Sequence, residues 1–394
     1  MWPSVSYETR EWKRDPDELA LIPRSRRRKI LPTYEAAIPA EIARQTLNLP
    51  PELERFIAEV QVAIARFDEA QNSRDYSLPA LLLRSESSSS SQIERLTSSV
   101  RNVALAELSD KAPANALLIA GNVAAMREAL GQTGPVSAAS IYSLHGTLMS
   151  TAEENEGPRK EQVWIGGSPY SPHGAIFVPP DAARVPNCLN DLILFGKRED
   201  ISPVAKAAIF HAQFETIHPF TDGNGRTGRA LLHRMLANDG VLLHSTLPVS
   251  AGLLHDTERY MKALDAYHEG EVEPIITCLA DALELATVIG SRIAKDVDTV
   301  LGNWRDLNTD RRGSASHALP TLLVKQPVVN TAYVAKHLFI SERAARTIIE
   351  AACERGILSK IGNAKRGAFY QANELIEVLE DASSLQGIRR IAAR

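Results

Sequence analysis

Apolar positions set the first divisions of the chain. From Pro51 onward, Leu53, Phe56, Ile57, Val60, Ile64 and Phe67 recur at steps of three and four, the spacing of one helix face, and Pro51 suits a first helical turn. The preceding segment, with prolines at 23, 32, 39 and 50, keeps no period and reads as irregular. Its basic run RSRRRK at 24–29 reads as a solvated charged stretch. Residues 115–130 and 136–149 read as two helices parted by Gly-Pro. The runs EQVWIGG and AIFVPP surround a Gly/Ser/Pro segment, which predicts a β-hairpin with a long tip. Ser202-Pro203 opens another helix, with Ala207, Phe210, Phe214 and Ile217 on one face. Pro219 disfavours a helical His218, so that helix ends there. The next, RTGRALLHRMLAND, stops at Gly240.

Helical spacing then continues to about residue 300, where GNWRDLNTDRRGSASHA reads as a polar linker. Beyond it come a helix, a short turn and a second helix, with Val334, Leu338, Ile340, Ala344, Ile348 and Ile349 apolar. Two short strands follow around a basic turn. This order is that of a winged helix-turn-helix, expected as a separate small unit. The predicted fold is mainly α, with a small β-hairpin and a C-terminal winged-helix domain. Its divisions are 1–110, 111–299, a linker at 300–318, and 319–394.

Composition narrows the class. The chain has 394 residues, 44% hydrophobic and 23% charged, enough for two or three domains with ordinary cores. The net charge of −4 makes any nucleic-acid contact a local matter. Cys188, Cys278 and Cys353 lie far apart, which suggests neither a disulfide framework nor a zinc site. No signal pattern opens the chain, and no apolar run approaches the roughly 20 residues of a membrane span. The expectation is a cytoplasmic protein with no membrane partner.

The chemistry concentrates in HPFTDGNGRTGR, residues 218–229, a loop that runs into a helix. Free N–H groups and the positive dipole end make such a junction an anion site. Gly223, Gly225 and Gly228 clear side chains from the approach. Arg226 and Arg229 fall on one helix face and suit an extended polyphosphate. Asp222 makes sense there if a divalent metal bridges it to phosphate oxygens. Asn224 is expected to donate to a further phosphate oxygen, and His218 at the rim to accept a proton from a hydroxyl. Together these fit transfer of a phosphorus group from a nucleotide to a hydroxyl. No Walker motif competes for the role.

These twelve residues resemble the signature of the Fic family, HxFx[DE]GNGRxxR, at every specified position. The resemblance extends over about residues 24–290. It implies a mostly helical core and transfer of AMP from ATP to a Ser, Thr or Tyr hydroxyl of a protein, which includes the enzyme itself. It implies His218 as general base, Asp222 as Mg²⁺ ligand, Gly223, Asn224 and Gly225 as anion hole, and Arg226 and Arg229 on the β- and γ-phosphates. Phe220 would anchor the loop in the core. Residues 162–180 resemble the family's flap, so Val163, Trp164, Ile165 and Gly166 would line up an extended target peptide, as an exposed strand edge can. Self-association is a further expectation.

The serine run SESSSSSQIERL, 85–96, lies between segments of helical character. Serines cap helices, so a helix around 86–97 is expected, with Glu94 in its early turns. The family's inhibitory helix carries [ST]xxxE[GN]. Ser90 and Glu94 match it, whereas Arg95 stands where Gly or Asn is usual. The resemblance implies that Glu94 pairs with Arg229 and withholds it from the γ-phosphate.

In the C-terminal unit, residues 341–354 would form the reading helix, with Arg343 and Arg346 near its start and Lys360, Lys365 and Arg366 on the wing as candidate DNA contacts. Glu342, Glu350 and Glu354 dilute that charge, and protein docking stays open beside DNA binding. Two further functions also stay open. One is a DNA-binding regulator with a nucleotide-sensing or self-modifying Fic domain. The other is a Fic enzyme that removes AMP, transfers phosphate or uses another donor.

Overall fold

The computed structural model describes residues 2–12, 22–72, 74–150, 157–363 and 367–393. Its first element corrects the expectation of an irregular start. Strand β1 (Ser6–Glu11) pairs antiparallel with β2 (Thr33–Ile38), Ser6 facing Ile38 and Glu11 facing Thr33. A short helix, α1 (Arg24–Arg27), lies between them. The strand signal was weak because β1 exposes polar residues on both faces and has no apolar alternation to detect. Only Ala36 and Ala37 of β2 are fully buried.

The helical body follows as α2 (Pro51–Asn72), α3 (Leu78–Ile93), α4 (Val100–Ala106), α5 (Ala114–Gly131), α6 (Ala138–Leu148), α7 (Val185–Gly196), α8 (Pro203–Ile217), α9 (Asn224–Asn238), α10 (Val249–His255), α11 (Thr257–His268) and α12 (Glu273–Leu307). Helix α2 buries Leu53, Ile57, Val60, Ile64 and Phe67, the stripe its spacing predicts, against α12. Helix α8 is buried almost all round, the mark of a central helix, and packs on α7, α9 and α12. Helix α12 is long and apolar enough to cross a membrane, yet its most apolar stretch is mostly buried inside the protein, as in a core helix.

The serine run is not a cap. Ser85 to Ser91 all lie inside α3 and are all buried. Glu94 caps the helix at its C-terminal end, which corrects its expected place in the early turns. Small side chains let α3 sit among α5, α9 and α10, where larger ones would hold the backbones apart.

The C-terminal unit comprises α13 (Leu319–Lys325), β3 (Val328–Asn330), α14 (Thr331–Leu338), α15 (Glu342–Glu354), β4 (Ser359–Ile361), β5 (Phe369–Gln371), α16 (Asn373–Ser383) and α17 (Leu385–Ala392). The sheet order β3-β5-β4 is antiparallel throughout. The predicted helix-turn-helix and two-stranded turn are therefore present, with two unpredicted helices after them. The expected separation is not. Helix α12 runs through residue 300 to Leu307, and its Trp304 is buried and donates to Glu374 of α16 at 2.9 Å. Helix α16 packs on α3 and α12, and α17 on α10 and α12, so one apolar core spans both units. The polar composition of 300–318 suggested a linker because residues 300–307, the end of α12, bury only Val300 and Trp304.

Candidate active site

The loop between α8 and α9 is shaped by two left-handed residues. His218 takes φ 49° and Gly223 φ 75°. For Gly223 this conformation carries no Cβ penalty, and for His218 it is a strained one. Pro219 ends α8 as expected, but through this left-handed turn. Phe220 points inward as expected, fully buried and stacked on His145 with ring centroids 3.6 Å apart. His145 also holds the loop through Nε2, 3.0 Å from the Asp222 carbonyl oxygen.

Asn224 also has a structural task in the loop. Its side chain is buried, its Oδ1 accepts from Phe220 N at 2.9 Å, and its Nδ2 donates to Phe220 O at 2.8 Å. The amide thus closes the loop through its oxygen and one of its two N–H groups. No side chain caps α9, and the first-turn N–H groups lack intrahelical acceptors, so they are available to an anion.

Arg226 and Arg229 are both buried, and both meet Glu94. Glu94 Oε1 accepts from Arg229 Nη2 at 2.9 Å and Oε2 from Arg226 Nε at 2.7 Å. The Arg226 contact was not foreseen from the sequence, since the matched motif concerns only the second arginine. Ser90 completes the hold: Arg229 Nε donates to its Oγ at 2.7 Å and Nη2 to its carbonyl at 2.8 Å. Burial alone would lower the pKa of Arg229, but Glu94, Tyr260 and Glu215 together raise it. Arg226 Nη1 is buried with no acceptor among the described residues. The site is thus a cradle of cationic donors in which one carboxylate occupies part of an anion's place.

Asp222 lies at the mouth, its side chain 65% exposed and 3.3 Å from Arg226 Nη2. Among the described residues no group of three or more metal-binding side chains occurs. A single open carboxylate still fits Mg²⁺, which binds one or two carboxylates together with substrate phosphates. The His218 pKa is pushed down to about 4, by burial first and by the nearby Arg159 cation second, so the imidazole is neutral at neutral pH. Glu215 is pushed up to about 7 by burial, eased by Arg229 and reinforced by Glu94.

The expected flap hairpin is reduced to isolated bridges, Ile165 with Phe177 and Ser168 with Ser171. Gly166 and Gly167 at positive φ, together with four prolines between 169 and 180, break a longer ladder. Ile165 N donates to Phe177 O at 2.8 Å, and Trp164 Nε1 to Ser168 O at 2.8 Å. Val163 is half-buried, while Ile165 and Gly166 are exposed. The N-terminal sheet supports the flap. Ala37 N donates to Val178 O at 2.9 Å, and Trp12 packs edge-on against Trp164 at 5.6 Å.

The remaining candidates lie elsewhere. Arg343, Arg346 and Lys360 are exposed on α15 and β4, on a different unit from the loop. Lys365 and Arg366 lie outside the described residues.

Residues 135–236 match the family model described as Fic/DOC family. That segment, which contains the whole loop between α8 and α9, is similar to the Fic/DOC family. The chain is 35% identical over 138 residues to a probable protein adenylyltransferase of Aquifex aeolicus, covering 35% of this chain and 38% of that relative. It is 28% identical over 144 residues to the protein adenylyltransferase Fic of Nematostella vectensis, covering 36% and 31%. The chain thus spans about a third of the length of these relatives. A Fic family protein of Desulfovibrio desulfuricans shares the fold at TM-score 0.55 and 22% identity, over 83% of this chain and 97% of that one. The matched segment ends within α9, so α10 to α17 lie beyond it.

Proposed function

We propose that this protein transfers AMP from ATP to a hydroxyl of a protein target and is restrained by Glu94. One observation carries the reading: the Glu94 carboxylate bridges Arg226 and Arg229 at 2.7 and 2.9 Å, where an extended anion would otherwise bind. In the proposed reaction the target oxygen attacks the α-phosphorus. The new O–P bond forms as the bond to the bridging β-phosphate oxygen breaks, and pyrophosphate leaves. His218, neutral by burial and by the pull of Arg159, accepts the hydroxyl proton. Anionic phosphates arriving beside it raise its affinity for that proton. First-turn N–H groups of α9 and the two arginines hold the phosphates. Mg²⁺, when bound at Asp222, would neutralise phosphate charge. The flap, with its exposed Ile165 and Gly166, offers backbone to an extended target segment.

The Glu94 ion pairs support an inhibitory sense of regulation. While they hold, Arg229 is withheld from phosphate; when α3 shifts, both arginines are released. The test is label from α-³²P-ATP retained covalently on protein, in wild type, Glu94→Gly, and Glu94→Gly with His218→Ala. Label in the Glu94→Gly protein that His218→Ala abolishes supports the reading. Label from γ-³²P-ATP in its place refutes AMP transfer in favour of phosphate transfer. A DNA-binding role is the second reading, supported by the exposed Arg343 and Arg346 on α15.

A further inference from the structure

Arg159 is a buried cation whose hydrogen-bond partners among the described residues are all carbonyl oxygens. Its Nε donates to His218 O at 2.8 Å, Nη1 to Glu161 O at 3.0 Å, and Nη2 to Pro180 O. Its own backbone N–H donates to Pro219 O at 2.8 Å. Glu161 leads into the flap and Pro180 leads out of it. One side chain, 5% exposed, therefore ties both flap stems to the backbone of the candidate base. Among the described residues no carboxylate pairs with it directly; burial lowers its pKa to about 10, and Asp181, at longer range, opposes that shift. A buried guanidinium without a directly paired carboxylate is costly, and its planar fork spreads donors widely enough to reach three divergent carbonyls. The tie also holds His218 in its left-handed conformation, which an unsupported histidine would leave.

We propose that Arg159 is a positioning residue that makes the flap and His218 one rigid unit, so that a hydroxyl carried by the flap meets the imidazole in register. This rests on the reading of His218 as base and of the flap as target holder. The test uses the full chain carrying Glu94→Gly, with Arg159→Lys and Arg159→Met. Hydrogen exchange is followed in peptides covering 161–180, 216–224 and α12, and ATP affinity and AMP transfer are measured on the same proteins. The expected result is faster exchange in the flap and in the loop together, with α12 unchanged. Turnover falls by at least about 100-fold, the scale of a misplaced reacting group, while ATP affinity changes by less than about threefold. Lysine recovers little, because one ammonium cannot span the three carbonyls. Unchanged exchange in either segment, faster exchange in α12 as well, or loss of ATP affinity in step with turnover overturns the proposal. If Glu94→Gly transfers no AMP, the function fails and the exchange data still decide the coupling.

A second observation stands apart from the first. The helix that carries Ser90 and Glu94 is held from behind by the C-terminal unit. Arg84 of α3, 2% exposed, donates to Lys325 O at 2.9 Å and to Gln326 Oε1 at 2.7 Å. Gln92 Nε2 donates to Ser383 O at 2.9 Å, and Ser383 Oγ to Ser85 Oγ at 3.2 Å. We infer that the C-terminal unit braces the inhibitory helix and sets the strength of the Glu94 clamp. Contacts from α13 and α16 then bias nucleotide binding on the far side of α3. This deepens the proposed autoinhibition, and its test reads binding as well as transfer. Gln92→Ala is made in the wild-type chain and with Glu94→Gly, and ATP affinity is measured by calorimetry. The brace predicts about three- to tenfold tighter ATP in the wild-type background and no change beside Glu94→Gly. No change in the wild-type background, or an equal change in both, overturns it.

Discussion

Glu94 Oε1 lies 2.5 Å from the point where a Cβ on Gly225 would stand. The bare backbone there is what lets a carboxylate lie between the two arginines. The same point is 2.7 Å from Arg229 Nη1, so a methyl group would disturb the clamp and the phosphate cradle together. Two substitutions that both weaken the clamp should then have different effects. Glu94→Gly frees a charge-assisted donor worth about 1.5–3 kcal/mol, and AMP transfer should rise roughly 10- to 100-fold. Gly225→Ala should not raise it at all. Covalent label from α-³²P-ATP in the two variants decides this, and a rise in both would show that Glu94 acts by another route.

The clamp should also appear in stability. Removing Glu94 leaves Arg226 and Arg229, 5% and 3% exposed, without their shared counter-ion. Breaking a fully buried pair costs about 3–5 kcal/mol. Glu94 is 27% exposed, so water screens part of this and the loss should be smaller. ATP replaces the missing negative charge, so Glu94→Gly should gain more in Tm from saturating Mg-ATP than the wild type gains. Thermal unfolding with and without nucleotide measures both effects. A Glu94→Gly protein as stable as wild type and indifferent to ATP would contradict the arrangement.

The sequence showed the site better than it showed the fold around it. Twelve contiguous residues carried the loop chemistry, because phosphate cradling needs particular residues at fixed spacing. Glu94 was legible through Ser90 and the four-residue step between them. The second partner, Arg226, was not, since which two guanidinium groups share a carboxylate depends on the angle between α3 and α9. Arg159 carried no signal because its partners are backbone oxygens, which have no letter in the sequence. The serine run misled for a physical reason. Serine is a good cap and a poor helix-interior residue, and only the crowding of several helices on α3 makes its small size an advantage. Polar strands β1 and β2 hid for want of alternation, and the contacts of α16 and α17 with the core are long-range.

Arg95 marks the weak point of the clamp. It sits at φ 63°, just past the Glu94 cap. Arg95 N donates to Gln92 O at 2.9 Å and Leu96 N to Ser91 O at 2.9 Å. These are the two bonds of a Schellman ending, whose left-handed position favours glycine or asparagine. Arg95→Gly should relieve about 1 kcal/mol of backbone strain. It should also hold Glu94 more firmly, lowering basal AMP transfer severalfold. Urea unfolding measures the first effect and label incorporation the second. Destabilisation by Arg95→Gly would show that the arginine side chain, and not its backbone, matters there.

Acid should loosen the protein through histidines that the fold keeps neutral. Burial, with Arg159, pushes His218 to about 4, and burial, with Arg229, pushes His211 to about 3. The unfolded chain takes up these protons near pH 6.5. Both groups therefore contribute stability above that pH and lose it as pH falls toward 4. Glu215 acts in the opposite sense. Its pKa is raised to about 7 by burial, so its contribution is present below the ordinary carboxylate range and is lost as pH rises through 7. From pH 7 to pH 5 the two histidines should cost about 4 kcal/mol and Glu215 should return about 2. Glu215→Gln removes the opposing group, so its stability should fall by about 4 kcal/mol over that interval, against about 2 in wild type. Surface carboxylates contribute alike to both proteins, so the difference between the two slopes isolates Glu215. Urea unfolding at pH 7 and pH 5 supplies the comparison, and parallel slopes would mean that Glu215 is ionised behind Arg229 across the whole range.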